Sequence, residues 1–111
     1  MTPELLFYLV TKRKWMENNQ NGRFKPDDFS TNGIIQLISP EIIETAANSN
    51  FTGRKKVLLL VIDTNRVSGK IRRGDERGIY ILDEPLNSDA ILDKIELNPD
   101  SNGQFEIDIE L

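Results

Sequence analysis

The chain contains no cysteine and no histidine among its 111 residues. The first absence removes a disulfide framework, a thiolate nucleophile and any cysteine-based metal cage. The second removes the commonest general base, the commonest metal ligand and the usual switch near neutral pH. The glycines are scattered, and none stands in a phosphate-cradling spacing between a strand and a helix. No apolar run approaches the roughly 20 residues of a membrane span. The start, Met1-Thr2-Pro3-Glu4 before the short run Leu5 to Val10, has neither a basic leader nor a small-residue cleavage site. The expectation is a cytoplasmic protein that makes no membrane contact, with no metal and no resident cofactor.

What is present fits one domain spanning residues 1–111, which by size buries roughly 65% of its unfolded surface on folding. Its organising stretch is Val57-Leu58-Leu59-Leu60-Val61-Ile62-Asp63. Such a run has no polar face, so it reads as a central strand covered on both sides. Asp63 marks where that strand leaves the core, a place where open sheets often bind ligands, although a strand-end or turn-capping role is the plainer account. Charge is uneven: 13 of the 14 Lys and Arg lie in Met1 to Arg77, and 9 of the 18 Asp and Glu follow Gly78. That acidic end could dock a basic protein partner or be a solvated surface. With a net charge of −4, nucleic acid is not an expected partner.

In chain order, Leu5 to Val10 reads as a buried strand, and Thr11 caps a short helix over Lys12 to Asn19 that presses Trp15 onto the sheet. Asn18 to Gly22 would end that helix. Arg23 to Gly33 reads as a loop pinned by Phe24 and Phe29. Ile34 to Ile38 is a second apolar run with Gln36 at its centre. Ser39-Pro40-Glu41 has the chemistry of a helix start, and Ile42, Ile43, Ala46 and Ala47 give that helix an apolar face. A helical turn follows Asp63, then a polar strand Lys70 to Arg73, a charged loop Gly74 to Gly78 and a strand Ile79 to Leu82. Ala90 to Leu97 and Gln104 to Leu111 flank a turn-forming stretch and read as an antiparallel hairpin. In its second arm Phe105, Ile107, Ile109 and Leu111 alternate with polar residues.

Few residues offer chemistry. Gln36 either ties the core together or points into a cleft, because an amide inside an apolar strand must find partners. Tyr8 and Tyr80 each carry one polar handle. Asp63 and Glu76 are candidate acid or base groups, each with a plain structural alternative in a strand end or a solvated loop. Lys12-Arg13-Lys14 could touch phosphate or form a charged outer face.

Taken together, the order of these pieces resembles the domain-of-unknown-function family 952 (DUF-952), which is grouped by fold with ADP-ribosyltransferases. The family opens with a strand of the type Ile-Tyr-His-Ile-Thr running to a Trp, matched by Leu6-Phe7-Tyr8-Leu9-Val10-Thr11 and Trp15. An aromatic-x-Pro follows as Phe24-Lys25-Pro26, and Gly-Phe-Ile-His-Cys-Ser falls on Gly33 to Ile38. Ala47, Asn48, Phe51 and Gly53 come after it in place. The Leu-Val-Leu-Leu-x-Ile-Asp strand matches Val57 to Asp63. A late Pro-His-x-Tyr-Gly-Pro-Leu stretch falls on Tyr80 to Leu86 and on to Ala90-Ile91, and the ending Gly-x-Phe on Gly103 to Phe105.

The resemblance places three family histidines on Tyr8, Gln36 and Ile81, and an Ile has neither donor nor acceptor. It implies an α+β domain with a curved mixed sheet, two main helices and a closing C-terminal hairpin, on an ADP-ribosyltransferase-like scaffold with a degenerate site. Two functions then stand open. One is a non-catalytic binding or interaction module with a cleft lined by Tyr8, Gln36 and Tyr80. The other is an enzyme on an NAD-like or ADP-ribose-like substrate, with Glu76 or Asp63 as its acid-base group.

Overall fold

Six consecutive apolar residues cannot expose either side, and the sheet around Val57 to Ile62 buries all of them. The computed structural model describes residues 3–51 and 56–107. In chain order these are β1 (Leu5–Val10), α1 (Lys12–Asn18), β2 (Asn19–Gln20), β3 (Arg23–Phe24), α2 (Asp27–Asn32), β4 (Ile35–Ile38) and α3 (Ile43–Asn50). Then come β5 (Val57–Asp63), β6 (Ile71–Arg73), β7 (Ile79–Leu82), β8 (Leu86–Asn87) and β9 (Ile91–Leu97), with short 3-10 turns at Thr64–Arg66 and Ser88–Ala90. The main sheet has the order β6-β7-β4-β1-β5-β9, and β2-β3-β8 form a smaller one.

Every described pairing is antiparallel, which corrects the expected mixed sheet. The reason lies in the crossover. Strand β1 runs antiparallel to both β4 and β5, so those two point the same way and α3 carries the chain between them. The first strand occupies the gap in this unit, and parallel strands never become neighbours.

Period-two alternation then sorts the side chains into two cores. Leu6, Val10, Leu58, Leu60 and Ile62 pack with Phe24, Leu37, Tyr80 and Leu86 on the face covered by the small sheet. Phe7, Leu9, Val57, Leu59 and Val61 pack on the other face with Ile43 and Ala47 of α3 and with Phe105. Trp15 sits against the first core 5.0 Å from Phe24, with the Lys94 ammonium 5.3 Å over its ring. Thr11 caps α1 by accepting from the Lys14 N–H at 3.3 Å.

Several local expectations need correction. Asn21 and Gly22 do not end a helix; they adopt φ of 55° and 75° at the tip of the β2–β3 hairpin, the positive-φ pair that an Asn-Gly connection supplies. The stretch from Arg23 to Gly33 is no plain loop, since it holds β3 and α2, and the helices number three rather than two main ones. Phe24 within it is fully buried, and Phe29 packs against the same core. The third helix starts at Ile43, not at Pro40, with no side-chain cap. Ser39 lies four residues before Ile43; its N–H donates to the Gly78 carbonyl at 2.9 Å, and its buried hydroxyl caps nothing and has no partner in the described structure.

The closing hairpin is also revised. Residues 104–107 form no strand, and β9 pairs with β5 instead; Ile109 and Leu111 lie outside the described residues. What anchors this segment is a side chain. Asn48 accepts from the Phe105 N–H at 2.6 Å and donates to its carbonyl at 3.0 Å, which holds Phe105 in the second core while Gln104 and Glu106 face water.

Losing that clamp strands two part-buried backbone groups. Asn48→Ala is expected to lower unfolding free energy by about 1 to 3 kcal/mol and to speed amide exchange at Phe105. Chemical denaturation with residue-resolved hydrogen exchange checks this, and unchanged exchange at Phe105 would contradict it.

Candidate functional site

The site begins where two neighbouring strands part. Strands β1 and β4 share one registered pair, Phe7 opposite Ile38, whereas β1 pairs with β5 along its whole length. Beside that short contact opens a concavity of about 600 Å³. Tyr8 and Leu9 of β1, Asp28 of α2, and Gln36 and Ile38 of β4 line it from one side. Ile42, Thr45, Ala46, Asn50 and Phe51, on and around α3, line the other, and Glu76 and Ile79 close the end. A second hollow of about 340 Å³ shares Gln36, Glu76 and Ile79 and adds Ile34, Arg72, Gly74, Asp75 and Ile81. The two make one groove across the sheet face that α3 only partly covers.

The strand period puts Gln36 there. Its neighbours Ile35 and Leu37 are fully buried, so Gln36 must face the other way, and it is exposed on the groove wall. Of its two readings, core tie or cleft residue, the geometry is the second. Tyr8 reaches the same groove from the opposite core, with its ring edge-on to Phe24 at 5.6 Å. Burial pushes the Tyr8 hydroxyl well above the ordinary tyrosine range; the charges of Asp28 and Asp27, and a hydrogen bond to Asp28, push the same way.

Tyr80 does not join them. It lies opposite Leu37 in the β4–β7 register and is buried in the first core, on the sheet face away from Gln36. Ile79 to Leu82 is apolar at every other position, so its sequence carried no contrast to show which way Tyr80 points. Asp63 is elsewhere as well. It accepts from the Asn65 N–H at 2.9 Å and pairs with Arg66 at 3.4 Å, capping the turn after β5. Glu76 is the one acid-base candidate that lines the groove.

Sequence reading missed Asp28, Thr45 and Asn50. The segment Asp27 to Asn32 has a single apolar residue and therefore no helical period, so the helix that presents Asp28 left no signal. Elsewhere, Arg13 and Lys14 pair with Glu17, and Lys14 with Asp27 at 3.0 Å, which makes that basic run a charged outer face. In the described part of the acidic C-terminal third, Glu96 pairs with Lys56, Asp83 with Arg72, and Asp100 caps its own turn. Among the described residues no cluster of three or more acidic side chains could hold a metal, and no helix is long and apolar enough to cross a membrane.

With the groove placed, comparison with known proteins becomes informative. Residues 9–94 match the family described as protein of unknown function, DUF952. The chain belongs to that family. Every groove residue except Tyr8 falls inside the matched span. The crystal structure of protein CC0527 from Caulobacter crescentus is 21% identical, covers 92% of this DUF952 chain and 93% of its own, and superposes with a TM-score of 0.81. The crystal structure of a double mutant of that protein gives 0.80 at the same identity and coverage. Its solution NMR structure gives 0.71 at 20% identity, covering 92% and 91%. At such identities the likeness shows a shared α+β fold. No curated protein matches the chain.

Tyr8 also sets an alkaline limit on this DUF952 chain. It keeps its proton to higher pH when folded than when unfolded, so its contribution is whole below the ordinary tyrosine pKa of about 10 and is lost as pH rises above it. Melting temperature is expected to fall above that pH, and to fall less in Tyr8→Phe. Parallel slopes for the two proteins would contradict the assignment.

Proposed function

We propose that this chain is a non-catalytic binding module on an ADP-ribosyltransferase-like scaffold, with a small ligand seated in the groove between β1, β4 and α3. The observation that carries the reading is the groove itself. Its main chamber of about 600 Å³ falls in the range of small-molecule sites, and it has the usual make-up of apolar floor and few polar groups. Leu9, Ile38, Ile42, Ala46 and Ile79 give the floor; Tyr8, Gln36, Thr45 and Asn50 give the orienting groups.

The family resemblance supports the non-catalytic side. Tyr8, Gln36 and Ile81, the positions aligned with family histidines, all line this groove or its continuation. None of the three side chains exchanges a proton near neutral pH, so the concavity is kept while its acid-base chemistry is replaced. Tyr80 leaves the set of ligand residues because it lies in the core.

A rival reading, an enzyme acting on an NAD-like or ADP-ribose-like substrate, draws on Glu76, whose carboxylate lines the groove with Gln36. Asp63 offers that reading nothing. No Lys or Arg lines the main chamber among the described residues, and Arg72 in the adjoining hollow is already paired with Asp83 at 3.2 Å, so a pyrophosphate in the chamber would not meet there the cation that such groups ordinarily meet.

A thermal-shift screen across a small-molecule library, NAD and ADP-ribose included, tests both. A ligand at 100 times its dissociation constant adds about 2.7 kcal/mol, and the expected result is a rise in wild type that Gln36→Leu reduces. A library without a single stabilising compound would contradict the module, and turnover of NAD by the wild type would replace it with the enzyme.

A further inference from the structure

Resting on the groove reading above, we infer that the ligand is a small organic amine, a cationic head on an apolar body. Two carboxylates, Asp28 from α2 and Glu76 from the β6–β7 loop, line the same chamber. Neither forms an ion pair among the described residues, whereas the acids just outside do: Asp27 with Lys14 at 3.0 Å, Glu41 with Arg77 at 3.8 Å and Asp83 with Arg72 at 3.2 Å. Three acids that flank the chamber are thus paired with cations, while among the described residues Asp28 and Glu76 inside it, and Asp75 in the adjoining hollow, have no ion pair.

The chemistry of the wall agrees. Asp28 lines the chamber with Tyr8, and an ionised carboxylate has about four acceptor sites, enough to take a donor from a ligand. An ammonium donates three hydrogen bonds and accepts none, which suits such a wall. Tyr8 and Phe51 bring aromatic rings to the lining, and these attract a cation lying over them. The apolar floor takes the body of the molecule. A polyanion would meet two like charges instead.

Titration calorimetry on the intact chain separates the possibilities, using phenethylamine and cadaverine, their neutral counterparts phenethyl alcohol and pentanediol, and ADP-ribose. The expected result is that at least one amine binds about tenfold or more tightly than its alcohol. That binding weakens by a similar factor in Asp28→Asn and in Glu76→Gln, with circular dichroism unchanged, and declines with added salt. Both carboxylates are exposed, so neither variant threatens folding. Equal affinity for amine and alcohol, or tighter binding of ADP-ribose, would overturn the amine while leaving the groove a binding site. If none of the five compounds binds, the amine is overturned, while the module stands or falls separately on the library screen.

Discussion

The ladder between β1 and β5 is the constraint on which the rest depends. Its six registered pairs run from Leu5 opposite Asp63 to Val10 opposite Leu58. Both strands are apolar on two faces, so a slip of one residue would exchange every side chain between the cores. Each core contains residues from both strands. Helix α3, the small sheet and the Asn48 clamp on Phe105 all attach to surfaces this ladder creates.

The groove opens on the other edge of β1. While β1 is paired throughout with β5, its other edge shares with β4 a single registered pair, Phe7 opposite Ile38. The chain must still cross from β4 to β5, and α3 makes the crossing over the second core. Space remains between the helix, the parting strands and the β6–β7 loop. Residues of ordinary structural origin, an exposed strand amide, a half-buried tyrosine and two acids from unrelated segments, come to share one cavity. Asp63 began as the attractive acid because it ends the strongest apolar run. In the fold, that end of β5 is closed by its own turn, and the chamber opens one strand further along the sheet.

Legibility followed physical contrast. The run Val57 to Asp63 was readable because only a doubly covered strand accommodates it, and Thr11 and Trp15 were readable because capping and anchoring depend on single residues. Alternation from Gln104 to Ile107 correctly put Phe105 inside, although the backbone there is held by Asn48 rather than by a strand partner. Other features left no trace. Strands of two residues, such as β2 and β3, are too short to show a period, so Asn21-Gly22 looked like a helix end. Ser39-Pro40-Glu41 carries every local sign of a helix start, yet Ser39 is tied by its N–H to Gly78 and the helix begins only at Ile43. Tyr8 and Tyr80 look equivalent in sequence because both sit in strands buried on two sides, and both pack on the first core; they differ in that Tyr8 lines the groove where β1 parts from β4, whereas Tyr80 is buried opposite Leu37.

The central claim is that the parting of β1 from β4 creates the ligand site. Amide chemical-shift mapping during titration with phenethylamine tests it most directly. The account predicts shifts concentrated at Tyr8, Leu9, Gln36, Ile38 and Glu76, with Asp63 and Asn87 unmoved. Shifts centred instead on the polar hollow around Glu17, Asn21 and Arg23, or spread evenly over the surface, would contradict it.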